Sequence, residues 1–194
     1  MTRPFLALAL AFAASALPAA SALAQKVELD TTAGKIVLQL DAAAAPKTVE
    51  NFLAYVKSGH YDGTQFHRVI PGFMIQGGGL PEAMAEKPTR EPIPNEADRT
   101  LKGGLRNARG TIAMARISEP HSAMAQFYIN TADNPALDFR EPSAEGYGYC
   151  AFGRVVSGME AVDAIEKVRT GWKRGQPNVP EYPVRIKTAE VLAP

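Results

Sequence analysis

The chain has a single cysteine, Cys150, in 194 residues, so no internal disulfide can form and stability has to come from packing. Charge of either sign is not in excess: 21 Lys and Arg stand against 20 Asp and Glu. That balance offers neither the basic face that nucleic acid selects nor an attraction to an anionic membrane surface. Histidine is scarce as well, and His60, His67 and His121 have no spacing that suggests a metal site. Gly77-Gly78-Gly79 lacks the Lys-Ser/Thr that follows the glycines of a phosphate loop, which leaves tight backbone packing as its reading. Cys150 and the histidines sit in no segment patterned like a cysteine hydrolase.

The one long apolar run, Phe5 to Leu17, is broken only by Ser15 and is too short to span a bilayer. Arg3 precedes it, and Pro18, small residues and then Ala22-Leu23-Ala24 follow. This is the order of a secretory signal peptide. Cleavage is expected after Ala24, with Ala22 the lesser alternative, which makes 1–24 the leader and 25–194 one domain. Removing Arg3 leaves 20 cations against 20 anions. No cysteine follows the cut to accept a lipid, so the mature chain is expected to be soluble and free of the membrane.

Within 25–194 the pattern is mostly β. Val27 to Thr31 and Ile36 to Leu40 read as a hairpin turning at Ala33-Gly34. Val49, Phe52, Leu53 and Val56 recur at helical spacing after Pro46, which predicts a helix ending near Ser58 and Gly59. Short runs follow at Phe66 to Ile70, Phe73 to Gln76, Thr111 to Ala115, Phe127 to Asn130, Ala151 to Val156 and Val184 to Leu192, with a second helical pattern from Met159 to Val168. About eight strands and two helices make a closed antiparallel barrel capped by two α-helices the economical architecture. Gly77 to Gly110 and Ala132 to Gly148 read as long loops, which in a compact domain tend to carry function or mobility.

The stretch FHRVIPGFMIQGGG, Phe66 to Gly79, sets one cation among large apolar groups. Strict alternation puts Phe66, Arg68 and Ile70 on one face and His67 and Val69 on the other. Arg68 then shares a face with apolar side chains, either as a snorkelling rim residue or as a working donor. The segments Ala113 to Arg116, Gln126 to Asn130 and Leu137-Asp138 add further aromatic and amide side chains on strands.

Taken together, FHRVIPGFMIQGGG, NEADRTLKGGLRNARGTIAMAR (Asn95 to Arg116), SAMAQFYIN (Ser122 to Asn130), ALD (Ala136 to Asp138) and YCAFGRVVSGMEAVDAI (Tyr149 to Ile165) resemble the cyclophilin family of peptidyl-prolyl isomerases, and within it the bacterial periplasmic branch. The likeness runs from Val27 to Leu192. It implies Arg68 as the catalytic residue, with Gln76 and Gln126 as peptide-binding amides. Phe73, Met74 and Leu137 would wall the proline pocket, Tyr128 would floor it, and Ala115 and Arg116 would meet the peptide backbone, with Tyr149 lining the site. No metal or cofactor is implied. The expected partners are proline-containing peptides and unfolded or partly folded exported proteins, met by a periplasmic monomer. A chaperone-like module that binds proline segments without turnover is the alternative.

Rotation about an Xaa-Pro bond is opposed by amide resonance, with a barrier of roughly 18–20 kcal/mol. At the twisted geometry the proline nitrogen recovers its lone pair and accepts a hydrogen bond better than in either planar state. A fixed guanidinium in a water-poor pocket therefore favours the twisted state over both. Three positions depart from the family. Tyr128 stands where many relatives have phenylalanine, Ala136 where an aromatic is common, and Tyr149 where histidine is common. The missing aromatic at Ala136 implies weak binding of cyclosporin, and the histidine's role does not transfer to Tyr149.

Overall fold

The computed structural model describes residues 25–81 and 85–193, and the expected leader lies outside the described residues. Strands β1 (Lys26–Thr31) and β2 (Gly34–Leu40) form the expected hairpin, and helix α1 (Pro46–Lys57) follows. Next come β3 (Thr64–Ile70), β4 (Met74–Pro81), helix α2 (Ala97–Lys102), β5 (Thr111–Met114), β6 (Phe127–Asn130) and β7 (Ala151–Ser157). Helix α3 (Met159–Glu166), a hairpin of β8 (Thr170–Lys173) and β9 (Gln176–Pro180), and β10 (Ile186–Val191) complete the order.

Eight strands pair antiparallel in the order β10-β1-β2-β7-β5-β6-β4-β3. The two edges meet, with Gln65 bridging to Arg185, Gly63 N–H donating to Ile186 O at 2.8 Å and Phe66 N–H to Val184 O at 2.9 Å. The sheet thus becomes a barrel whose edges are satisfied.

Helix α1 begins where Pro46 spares an amide that would have no acceptor. Its Ala45 cap offers no side chain. Glu96 takes over from the distant chain, its carboxylate accepting Lys47 N–H at 3.3 Å and Thr48 N–H at 2.9 Å, the charge sign a helix N-terminus favours. The buried face carries Val49, Phe52, Leu53 and Val56. Phe52 meets Phe127 edge-on at 5.7 Å and lies 5.2 Å from Phe152. Ala161, Val162 and Ile165 of α3 join the same interior cluster, so both helices seal one core. No helix among the described residues is long and apolar enough to cross a membrane.

Four expectations need correction. There are three helices, not two, because α2 lies inside the stretch read as a long loop. That loop also starts later, since β4 runs through the glycines to Pro81. The β8–β9 hairpin lies outside the eight-stranded sheet and was not expected. Finally, Phe66 and Arg68 do not share a face. Phe66 pairs with Gly77 while Arg68 pairs with Gln76, so two β3 residues span one on β4. This bulge resets the alternation: Phe66 and Val69 are fully buried in the barrel core while Arg68 is exposed.

Candidate active site

Alternation along the central strands sorts two sets of side chains. Ile75, Ile112, Met114, Phe127, Ile129 and Phe152 point into the barrel core. Their neighbours Met74, Ala113, Tyr128 and Ala151 face outward and, with Leu105, form a second apolar cluster. Tyr128 is its centre because the register sets it beside Gln76 on β4 and Ala113 on β5. Ile70, Phe73, Ala115, Leu137 and Tyr149 pack half-buried around this cluster. The structure therefore brings six of the expected site residues, Phe73, Met74, Ala115, Tyr128, Leu137 and Tyr149, into one apolar recess on the outside of the barrel.

The polar edge of the recess is an ordered chain of donors. Arg68 Nη1 donates to Gln76 Oε1 at 3.3 Å, and Gln76 Nε2 donates to Gln126 Oε1 at 3.0 Å. Gln126 in turn lies over Gly79, where a Cβ would come within 2.5 Å of its Cγ, and its carbonyl accepts Ala115 N–H at 2.9 Å. The bulge in β3 leaves Arg68 exposed, and Gln76 accepts from one Nη of its fork while Gln126 braces Gln76.

The departures from the family pattern have physical answers. The Tyr128 hydroxyl donates to Asn107 Oδ1 at 2.8 Å, so the buried phenol is satisfied, and burial pushes its pKa well above the ordinary range. Asn107 also donates from Nδ2 to Leu137 O at 3.2 Å, Asp138 Oδ1 at 3.1 Å and Tyr149 O at 3.1 Å. One amide thus ties the pocket floor to the wall. Sequence reasoning missed Asn107; the available signal was Tyr128, whose buried hydroxyl had to find a partner. Tyr149 stacks edge-on against Tyr128 at 5.8 Å and lies under Arg116, whose Cζ is 4.6 Å from the ring centroid. Arg116 spends its donors on the carbonyls of Gly148, Ile117, Ser118 and Ala144. Its side chain thereby clasps two loops. Ala136 is exposed on a 3₁₀ turn, Pro135–Leu137, so no aromatic closes the rim there.

The remaining titratable side chains do not converge on chemistry. His60 bonds Gly78 O at 3.2 Å, and His121 Nδ1 accepts Asn95 N–H at 3.0 Å. Among the described residues no three His, Cys, Asp or Glu gather to hold a metal ion. Burial pushes the Cys150 thiol up to about 12, and the thiol contacts Thr48 Oγ1 at 3.4 Å. Such a thiol is not a nucleophile at neutral pH.

Burial likewise pushes His67 from 6.5 down to about 4. Unfolded, the ring takes up a proton near 6.5, whereas the folded chain resists it until about 4. Stability linked to His67 is therefore complete above that window and lost as pH falls through it. We expect a loss of about 3 kcal/mol from this group between the two values, and its absence in His67→Gln. Urea unfolding of both proteins across the acid range checks this; curves that keep a constant separation contradict it.

The family model described as cyclophilin type peptidyl-prolyl cis-trans isomerase/CLD matches residues 26–191. Peptidyl-prolyl cis-trans isomerase cyp18 of Streptomyces antibioticus is 58% identical over 166 residues, covering 86% of this chain and 98% of the relative. Peptidyl-prolyl cis-trans isomerase B of Escherichia coli (strain K12) is 50% identical over 165 residues, covering 85% and 98%. Among solved structures, a Cryptosporidium parvum cyclophilin type isomerase, crystallised in the presence of the dipeptide Ala-Pro, superposes with a TM-score of 0.69 at 27% identity over 88% of this chain and 100% of that one. An outward apolar recess edged by a braced arginine, on a barrel matched over nearly its whole length, places this chain in the cyclophilin family of peptidyl-prolyl cis-trans isomerases.

Proposed function

We propose that the recess binds the proline of an Xaa-Pro segment and that Arg68 accelerates rotation of the preceding amide. The observation carrying this reading is the Arg68–Gln76–Gln126 chain at the edge of an apolar recess. Phe73, Met74 and Leu137 hold the pyrrolidine ring over Tyr128 while the guanidinium meets the nitrogen as it becomes pyramidal. Ala115 and Arg116 contact the peptide through their backbone, and Tyr149 supports the floor from beneath Arg116. The step moves no proton and forms no covalent bond. Only preorganised donors and a water-poor wall are needed, and arginine suits the role because it stays charged and keeps a rigid fork.

NMR exchange on an Ala-Pro peptide tests the reading. A substoichiometric amount of the protein is expected to speed cis/trans exchange far beyond the uncatalysed time of roughly tens to hundreds of seconds. Shifted peptide resonances with unchanged exchange would instead identify a binding module without turnover.

The proposed clients are unfolded or partly folded exported proteins, met in the periplasm by a monomer of residues 25–194. The leader features at 1–24 support this placement. So does the start of the described sheet, because Gln25 O, directly after the proposed cut, already accepts Leu40 N–H at 2.9 Å. The mass of the exported protein checks the cut. With Ala136 leaving the rim open, cyclosporin is expected to inhibit only weakly while peptide turnover persists. Tight inhibition in a titration contradicts that.

A further inference from the structure

Asn107, which ties the recess floor to one wall, is the last of three asparagines joined end to end by hydrogen bonds. Asn134 Nδ2 donates to Asn130 Oδ1 at 2.7 Å, Asn130 Nδ2 donates to Asn107 Oδ1 at 3.3 Å, and Asn107 Nδ2 donates to Leu137 O at 3.2 Å and Tyr149 O at 3.1 Å. Asn134 Nδ2 also donates to Phe73 O at 2.8 Å, and the Tyr128 hydroxyl joins the chain at Asn107. One end of the chain therefore holds the Phe73 wall, the other end the Leu137 wall, and the Tyr128 floor is tied in between. We infer that this relay fixes the width of the recess and that Asn134 is the positioning residue through which the site selects a five-membered ring, an inference that rests on the isomerase reading above.

Three observations carry it. The first is burial. Asn130 is 0% exposed and Asn107 2%, and an amide taken out of water has to find partners for its oxygen and for both N–H groups. Both do so, Asn130 Nδ2 donating its second bond to Thr111 Oγ1 at 3.0 Å. A satisfied buried network holds one arrangement of the groups it joins, because a shift leaves a member unpaired. The second is the choice of acceptors. Asn107 and Asn134 bond the main-chain carbonyls of Phe73, Leu137 and Tyr149, residues whose side chains pack around the recess. The carbonyl of a wall residue moves with its side chain, so the relay sets where each wall stands. The third is a cap forgone. Asn134 holds the N-cap of the Pro135–Leu137 turn, a place where asparagine ordinarily bonds its own turn, yet its side chain makes no such bond. It reaches Phe73, just ahead of β4, instead.

Asn134 can be changed without dismantling the barrel. It is only half-buried, Thr131 N–H holds the Phe73 carbonyl at 3.0 Å, and the Asn134 main chain stays bonded to Asn107 O and Leu137 N–H. What its side chain adds is the link between opposite walls. Proline differs from its six-membered homologue, pipecolic acid, by one methylene, and a well-fitted apolar pocket discriminates one methylene by about 10- to 200-fold. A pocket whose walls can part discriminates less.

The test compares kcat/KM for Ala-Pro and Ala-pipecolyl peptides in the native chain, Asn134→Ala and Asn134→Asp. The aspartate keeps the size of the side chain and replaces its donors with acceptors, so it carries the comparison should the alanine variant fold poorly. The native chain is expected to favour the five-membered ring by about tenfold or more. Both variants are expected to narrow that ratio by about fivefold or more, through a fall on the Ala-Pro peptide that the pipecolyl peptide does not share. A simple loss of folded protein lowers both rates alike and leaves the ratio unchanged, so it cannot imitate this result. A native ratio within about twofold, or variants that keep the native ratio, would overturn the relay's role and leave the isomerase standing. A native chain that fails to accelerate the Ala-Pro peptide removes the isomerase reading and the relay's role with it.

Discussion

Arg68→Ala yields a folded protein that isomerises an Ala-Pro peptide about 10²–10³-fold more slowly, the scale of losing one preorganised donor at a developing charge. The fold should survive because Arg68 is exposed and its side chain bonds Gln76 Oε1 at only 3.3 Å. The barrel core behind it, Phe66 and Val69, is untouched. What disappears is the cation that the Gln76 and Gln126 amides hold at the edge of the recess. Water can fill the space but cannot be held in place, so the twisted nitrogen loses a partner that needs no reorganisation. Circular dichroism and thermal melting should match the native protein, and a coupled isomerisation assay reads the loss. Activity within about threefold of native would remove Arg68 from the mechanism.

Gly78→Ala is expected to destabilise the fold by about 2–5 kcal/mol. Two effects add. Gly78 has φ +85°, a conformation in which a Cβ clashes and which costs roughly 1–2 kcal/mol. The new methyl would also sit 2.7 Å from Phe127 Cε1 and 2.9 Å from Tyr61 Cε1, and such overpacking costs roughly 1–3 kcal/mol. Neither ring can give way. Both are fully buried, they meet edge-on at 5.4 Å, and the Tyr61 hydroxyl donates to Ala125 O at 2.9 Å. For a chain of this size the melting temperature should fall by roughly 4–20 °C. Because β4 also carries Met74 and Gln76, activity should fall with it. A melting shift of less than about 2 °C would mean the core yields at no cost.

The helix from Pro46 and the β1–β2 hairpin were legible because they follow regular periods over six or more residues, and the other barrel strands as short runs of β-branched, aromatic or methionine residues. The site was legible as a set: the recess and the Arg68–Gln76–Gln126 edge are assembled from segments that the motif order identified. What stayed hidden depends on partners remote in the chain. Alternation alone misplaced Phe66, since a bulge between β3 and β4 is a property of the pair. Helix α2 spans only Ala97–Lys102 and buries two residues, Ala97 and Thr100, too little to set a period. The β8–β9 hairpin turns at Arg174-Gly175 rather than at a stronger turn pair. Asn107 reads as an ordinary loop residue until Tyr128, Leu137, Asp138 and Tyr149 are seen to converge on it. Glu96 caps α1 across 48 residues, a link that local capping patterns cannot carry.

The central claim is that Arg68 binds the twisted amide more tightly than the planar one, and this predicts a split between turnover and affinity. The decisive measurement sets the exchange rate of an Ala-Pro peptide at saturating Arg68→Ala protein beside the dissociation constant for the same peptide. The account predicts that turnover falls by about 10²-fold or more while affinity changes by no more than a few-fold. A loss of affinity as large as the loss of turnover would contradict it, because the arginine would then hold the planar peptide as strongly as the twisted one.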